Sequence, residues 1–283
     1  MNENLSMRLP DGRMLAYAEY GDPDGIPVLG VHGTPGTRHI FSLADASARK
    51  HGLRMVVPDR AGVGDSEDRP DHSIAGHVED AMALLDYLGV EKFAVFGFSG
   101  GGPYTAEAAR QVPHRIRALT LVSAHVQGVQ PGPGHRALMK LANASIPAAQ
   151  LMFLAIAIPA VVAPNFSRLL IGPGLNHSDR QTMKDREIRR CLTKGIAGVL
   201  WSGRATALEA RNFYREGPPS PIALDAPVRI WHGAEDKVIV PKAAFIYSRM
   251  FPGSYLTIIP KVGHLWGLVA CDQVLAILAE DLH

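Results

Sequence analysis

Phe93–Gly101, FAVFGFSGG, decides the fold. Its first four residues form a short apolar run, and Gly97-Phe98-Ser99-Gly100-Gly101 follows as a G-x-S-x-G pattern. A helical stretch, Pro103–Gln111, comes next. A strand that becomes a helix over so few residues must turn sharply, so Ser99 is expected in strained backbone with its Oγ projecting above the sheet edge. The free N–H groups at the start of the helix would face any negative charge forming there. Outward from this segment, Pro27–Val31, Arg54–Pro58 and Ala118–Val122 read as further buried strands, each short, apolar and bounded by turn residues. Phe41–Gly52 and Ile74–Leu88 read as the helices between them. In the second, Val78, Ala81, Leu84, Leu85 and Leu88 recur at helical spacing. This alternation predicts an α/β fold with a mostly parallel central sheet flanked by helices. Asp11-Gly12, between Ser6–Leu9 and Met14–Tyr20, predicts an antiparallel hairpin at the start.

The alternation stops at Gly128 and resumes near Pro221. VQPGPGH opens the interval and EGPPSP closes it, and no strand pattern lies between. Val228–Trp231 and Tyr255–Ile259 then read as strands, with a last helix over Leu268–Leu282. The expected organisation is a core domain of residues 1–127 and 222–283, interrupted by a helical lid over 128–221. A lid inserted there would sit over the carboxyl ends of the strands, where open α/β sheets bind ligands.

Composition excludes other classes. With 47% hydrophobic and 20% charged residues the chain is neither disordered nor fibrous, and a net charge of +2 without a basic stripe argues against a nucleic-acid partner. The two cysteines, Cys191 and Cys271, lack metal-ligand spacing and are expected as free thiols. MNENLSMRLPDGR has no apolar signal core, so a cytoplasmic location is expected. Ile146–Ala163 is apolar but carries Gln150, Pro147 and Pro159. It is expected as a pair of buried helices over a pocket rather than as a stable membrane insertion.

A serine nucleophile needs a base to take its proton and a carboxylate to orient that base. Twelve histidines are available, and position selects among them. His264 follows the last strand, on the sheet edge expected for Ser99. His232 and His125, at other strand ends, remain rivals. The acid is Asp236 or its neighbour Glu235 in HGAED, with Asp236 favoured by the order Ser…Asp…His. Backbone N–H groups of Gly100 and of Thr34, in the loop His32–Gly36, are the candidate oxyanion donors. Pro35 restricts Thr34 to extended backbone and helps fix the direction of its N–H.

Five segments together resemble the α/β-hydrolase fold superfamily along the whole chain: HGTPG (32–36), DRAGVGDS (59–66), GFSGG (97–101), WHGAEDKV (231–238) and GH (263–264). The pattern is similar to the esterase and proline-iminopeptidase branch. The resemblance implies Ser99 as nucleophile, Asp236 as acid, His264 as base, Thr34 and Gly100 as oxyanion donors, and a lid over 128–221. It also implies that Asp59 and Ser66 hold the 59–66 turn rather than react. Dehalogenases and epoxide hydrolases of this fold carry Asp at the position of Ser99. Iminopeptidases usually show a third glycine where Thr34 stands and Trp where Gly100 stands. Carbon–carbon bond hydrolases usually carry an Asn after the oxyanion loop, and none occurs between Thr34 and Ala44.

Hydrolysis of a small carboxylic ester or lactone through an acyl-enzyme is therefore expected, with no metal or organic cofactor. A carbon–carbon hydrolase, lyase or aminopeptidase on the same residues is the alternative within enzymes, and a slow-turnover binding protein the alternative outside them. Met152 and Phe153 from the lid, with Phe98 and Trp266, are the candidate pocket walls, and Arg38 is expected in a surface salt bridge. Oligomeric state is not legible.

Overall fold

A computed structural model describes residues 1–129, 132–162, 175–215 and 220–283. The strands are β1 (Asn2–Arg8), β2 (Met14–Gly21), β3 (Ile26–Val31), β4 (Leu53–Pro58), β5 (Phe93–Phe98), β6 (Ile116–Val122), β7 (Val228–Gly233) and β8 (Tyr255–Ile259). They form one sheet in the order β1-β2-β4-β3-β5-β6-β7-β8. β2 runs antiparallel to β1 and β4, and every pair from β4 to β8 is parallel. Parallel strands covered on both faces read as continuous apolar runs, and all six residues of β5 are buried.

Flanking the sheet are α1 (Asp45–Lys50), α2 (Ile74–Tyr87), α3 (Gly102–Gln111), α9 (Lys242–Met250), α10 (Trp266–Val269) and α11 (Cys271–Glu280). Between β6 and β7 lie α4 (Pro133–Ala144), α5 (Ile146–Val162), α6 (His177–Thr182), α7 (Arg186–Ala197) and α8 (Val199–Arg215), with no strand among the described residues of that interval. The parallel register pairs Val31 with Gly97, Phe98 with Val122, and Gly233 with Ile259. The loops leaving β3, β5, β7 and β8 consequently emerge along one edge.

Three elements differ from the pattern in the sequence. Phe41–Gly52 is split into a 3-10 turn, Arg38–Ala44, and α1, so that Ile40, Phe41 and Ala44 all reach the core. The last helix breaks at Ala270, leaving α10 to bury Trp266 and Gly267 and α11 to bury Val274, Leu275 and Leu278. Ile146–Val162 is one helix rather than two, with Pro159 inside it. Only one side of α5 is buried, through Ala149, Phe153 and Ala157, while Val162 is 79% exposed. No described helix is long and apolar enough to cross a membrane.

Arg38 corrects a further expectation, because it is 1% exposed rather than at the surface. Its guanidinium pairs with Asp59 and, at 2.6 Å, with Asp65, and its backbone N–H donates to Asp59 Oδ1 at 2.6 Å. A carboxylate as buried as Asp59 needs such a countercharge. Ser66 Oγ accepts from Ala16 N and donates to Asp59 O, both at 3.0 Å, which ties the 59–66 turn to β2. Cys191 and Cys271 form no disulfide.

Candidate active site

Ser99 sits where β5 turns into α3, with φ +52°, a left-handed conformation costly for a residue with a Cβ. Its carbonyl accepts the N–H of His125 at 2.8 Å, which helps hold the turn. The loop after β8 brings His264 to the serine, with Nε2 2.9 Å from Ser99 Oγ. The other ring nitrogen, Nδ1, lies 2.8 Å from Asp236 Oδ2, on the loop after β7. Asp236 is fixed in turn, its Oδ1 accepting N–H from Val238 at 2.8 Å and Ile239 at 2.9 Å.

Electrostatics follow from this burial and pairing. Burial pushes the Asp236 pKa up, but the charge of His264 and hydrogen bonds from His232 and His264 outweigh it and hold the carboxyl well below its usual range. For His264, burial disfavours the cation, yet Asp236 overcomes that and raises the imidazole above the ordinary histidine value. His232 is not aimed at the serine: its Nε2 lies 2.8 Å from Ile239 O and 3.3 Å from Asp236 Oδ2. Glu235 is turned toward Asn176, whose Nδ2 donates to it at 3.3 Å. Of the two adjacent carboxylates, Asp236 is the one that meets His264.

Gly100 and Thr34 are immediate neighbours, since a Cβ on Gly100 would stand 2.6 Å from Thr34 N. Beside them lies a cavity with about 440 Å³ free of protein atoms, part of it open to solvent. Thr34, Pro35, Ser99, Gly100 and His125 form its floor. Leu138, Met139, Phe153, Ala210 and Phe213 from the inserted helices, with Val238 and Ile239, form apolar walls.

Residues 26–269 match the family described as the alpha/beta hydrolase fold. The chain belongs to that family. Among curated relatives, this α/β hydrolase is 25% identical over 268 residues, 93% of its length, to the dihydrolipoyllysine-residue acetyltransferase component of an acetoin cleaving system from Pseudomonas putida. It is 30% identical over 124 residues, 41% of its length, to a proline iminopeptidase from Neisseria gonorrhoeae. It spans only 65% of the first relative and 38% of the second. A thermophilic esterase from Thermogutta terrifontis superposes with a TM-score of 0.73 at 21% identity, covering 99% of both chains, which is a likeness of fold.

The four expected pocket residues divide. Phe153 lines the cavity of the α/β hydrolase. Met152 does not: successive helical residues diverge by about 100°, so with Phe153 inward Met152 is 37% exposed. Trp266 is spent on an edge-on contact with Trp231, ring centroids 6.1 Å apart. Phe98 packs its ring 5.6 Å from that of His264 and borders a different apolar cavity, beside Phe41 and Leu268.

A buried ion pair that the sequence did not announce underlies the Thr34 loop. Arg60 pairs with Glu209 of α8. Its guanidinium also donates to His32 O at 2.7 Å, Gly33 O at 3.0 Å and Thr34 Oγ1 at 2.8 Å. Thr34 Oγ1 in turn donates to Glu209 Oε2 at 2.9 Å. The available signal was Glu209 itself, a charge at helical spacing from Thr206 and Phe213, both buried. Glu209→Ala leaves the Arg60 charge buried without its partner and is expected to cost about 3–5 kcal/mol of folding stability. Urea unfolding measures this, and a loss below about 1 kcal/mol would show the pair to be dispensable.

Proposed function

We propose that this α/β hydrolase cleaves small carboxylic esters or lactones through an acyl-enzyme formed on Ser99. The observation that carries the reading is the pair of contacts at His264, 2.9 Å to Ser99 Oγ and 2.8 Å to Asp236 Oδ2, with Ser99 itself lining an apolar cavity. His264 Nε2 takes the proton from Ser99 Oγ as the oxygen attacks the carbonyl carbon. Asp236 orients the imidazole and stabilises its cation. The N–H groups of Thr34 and Gly100 hold the oxyanion of the tetrahedral intermediate. When that intermediate collapses, the alcohol departs with the proton from His264. A water then repeats the attack, giving its proton to His264, and the acid is released as the proton returns to Ser99.

Residues 128–221 serve as a lid in this reading, supported by the five cavity residues that α4, α5 and α8 contribute. Apolar walls favour uncharged acyl groups, since a charged one would lose its hydration without a partner. The limited volume favours short chains. Rates on p-nitrophenyl esters of increasing acyl length are therefore expected to peak at short chains and fall as the chain outgrows the cavity. Equal rates at all lengths would contradict the cavity as the acyl site. An amide panel measured alongside separates esterase from aminopeptidase activity; one relative is named a proline iminopeptidase.

A further inference from the structure

The loop that carries His264 presents three consecutive backbone N–H groups to one helix of the insertion. Gly263 N donates to Ser178 Oγ at 3.2 Å, His264 N to Asp179 Oδ2 at 2.9 Å, and Leu265 N to Asp179 Oδ1 at 2.8 Å. Successive N–H groups converging in this way make an anion-binding concavity. Asp179 is its occupant, on α6 and 0% exposed. The approach is close: a Cβ on Gly263 would overlap Asp179 Oδ2 and Asn176 Oδ1. Asn176 caps the same helix, accepting the N–H of Asp179 at 2.8 Å, and reaches Glu235 beside the acid. A carboxylate this deeply buried needs hydrogen bonds on its oxygens, and here both take them from the base loop.

We propose that Asp179 is a positioning residue for the base: it is the built-in anion of the His264 loop, and the imidazole is held in line with Ser99 only while the insertion is docked. This rests on the reading of Ser99 and His264 as nucleophile and base. α6 adds no atom to the reaction. It fixes the backbone from which the imidazole projects, and an imidazole displaced by about 1 Å loses much of its catalytic value. Asp179 also places a negative charge near the ring. Burial outweighs the amides of Leu265 and His264 and raises the pKa of Asp179 itself above the ordinary carboxylate value, and its charge raises that of the imidazole. The charged or titratable groups around it are His264 and, on the acid loop, Asp236, His232 and, through Asn176, Glu235.

The experiment follows covalent modification of Ser99 by a fluorophosphonate across neutral pH, in the wild type and in Asp179→Ala, Asp179→Asn and Gln181→Ala, with near-UV circular dichroism and thermal unfolding on each. Asp179→Asn is close in shape, which protects against an unfolded variant, but it turns one acceptor into a donor facing an N–H group. Gln181, exposed on the same helix, is the control. Both Asp179 variants are expected to label roughly 10- to 100-fold more slowly at temperatures where they are folded. The midpoint of their pH–rate curve should move to lower pH, because losing a nearby negative charge makes the imidazolium less favourable. Gln181→Ala should match the wild type. If the Asp179 variants melt earlier but label at the wild-type rate with the wild-type midpoint, Asp179 is only an anchor and the inference is overturned. If wild-type Ser99 is not labelled at all, the reading of the site fails and takes this inference with it.

Discussion

Ser99→Ala is expected to lower turnover of a short p-nitrophenyl ester by at least about 10⁴-fold while leaving the fold intact. On the proposed mechanism this oxygen forms the bond to the acyl carbon, and alanine has none to offer. What remains is the residual help of Thr34 and Gly100 to a direct attack by water. The substitution keeps the Cβ, so the strained backbone at φ +52° is neither relieved nor worsened, and the hydrogen bond lost is the one to His264. Stability should change little, which circular dichroism and thermal unfolding check on the same preparation. A wild-type-like rate in a folded Ser99→Ala protein would leave the acyl-enzyme without its nucleophile.

Asp236→Asn should cost about 10⁴-fold in kcat for a different reason. His264 must carry its proton on Nδ1 so that Nε2, 2.9 Å from Ser99 Oγ, is free to accept. The carboxylate at 2.8 Å enforces that tautomer, because an acceptor requires a donor opposite it. An asparagine can instead turn its NH₂ group toward Nδ1, leaving the proton on Nε2 and nothing to receive the serine's. Its carbonyl oxygen can still take the N–H groups of Val238 and Ile239, so the turn should survive. Loss of rate without loss of fold is the expected result, measured as kcat beside a urea unfolding curve. The depressed pKa of Asp236 adds a stability consequence: its folded-state advantage is complete above the ordinary carboxylate range and is lost progressively as pH falls from that range through the lowered value. The variant should therefore lose less stability on acidification than the wild type.

The sheet was legible because β3, β5 and β6 are buried on both sides and so announce themselves as apolar runs at any register. Ser99 and Asp236 could be placed because each follows such a strand, β5 or β7. His264 follows the half-exposed edge strand β8, where position after the last strand is the signal, and the parallel register lines up those strand ends. Within an apolar helix the same reasoning loses its grip. Ile146–Val162 is hydrophobic nearly all round, so nothing in it distinguishes Phe153, which reaches the cavity, from Met152, which faces out. Phe98 and Trp266 lie close in sequence to Ser99 and His264, but their rings pack against His264 and Trp231. Arg38 looked like a surface cation because its partners Asp59 and Asp65 lie more than twenty residues away. Asp179 and Glu209 escaped for that same reason. Each is an ordinary acidic residue of a helix until folding sets it against the 263–265 or the 32–34 loop.

The proposal that Asp236, through His264, activates the Ser99 oxygen is tested most directly by treating the protein with a fluorophosphonate and mapping the adduct by peptide mass spectrometry. A single adduct on Ser99, abolished in Ser99→Ala and strongly slowed in His264→Ala, is the predicted result. An adduct on any other residue, or none on the folded protein, would contradict it.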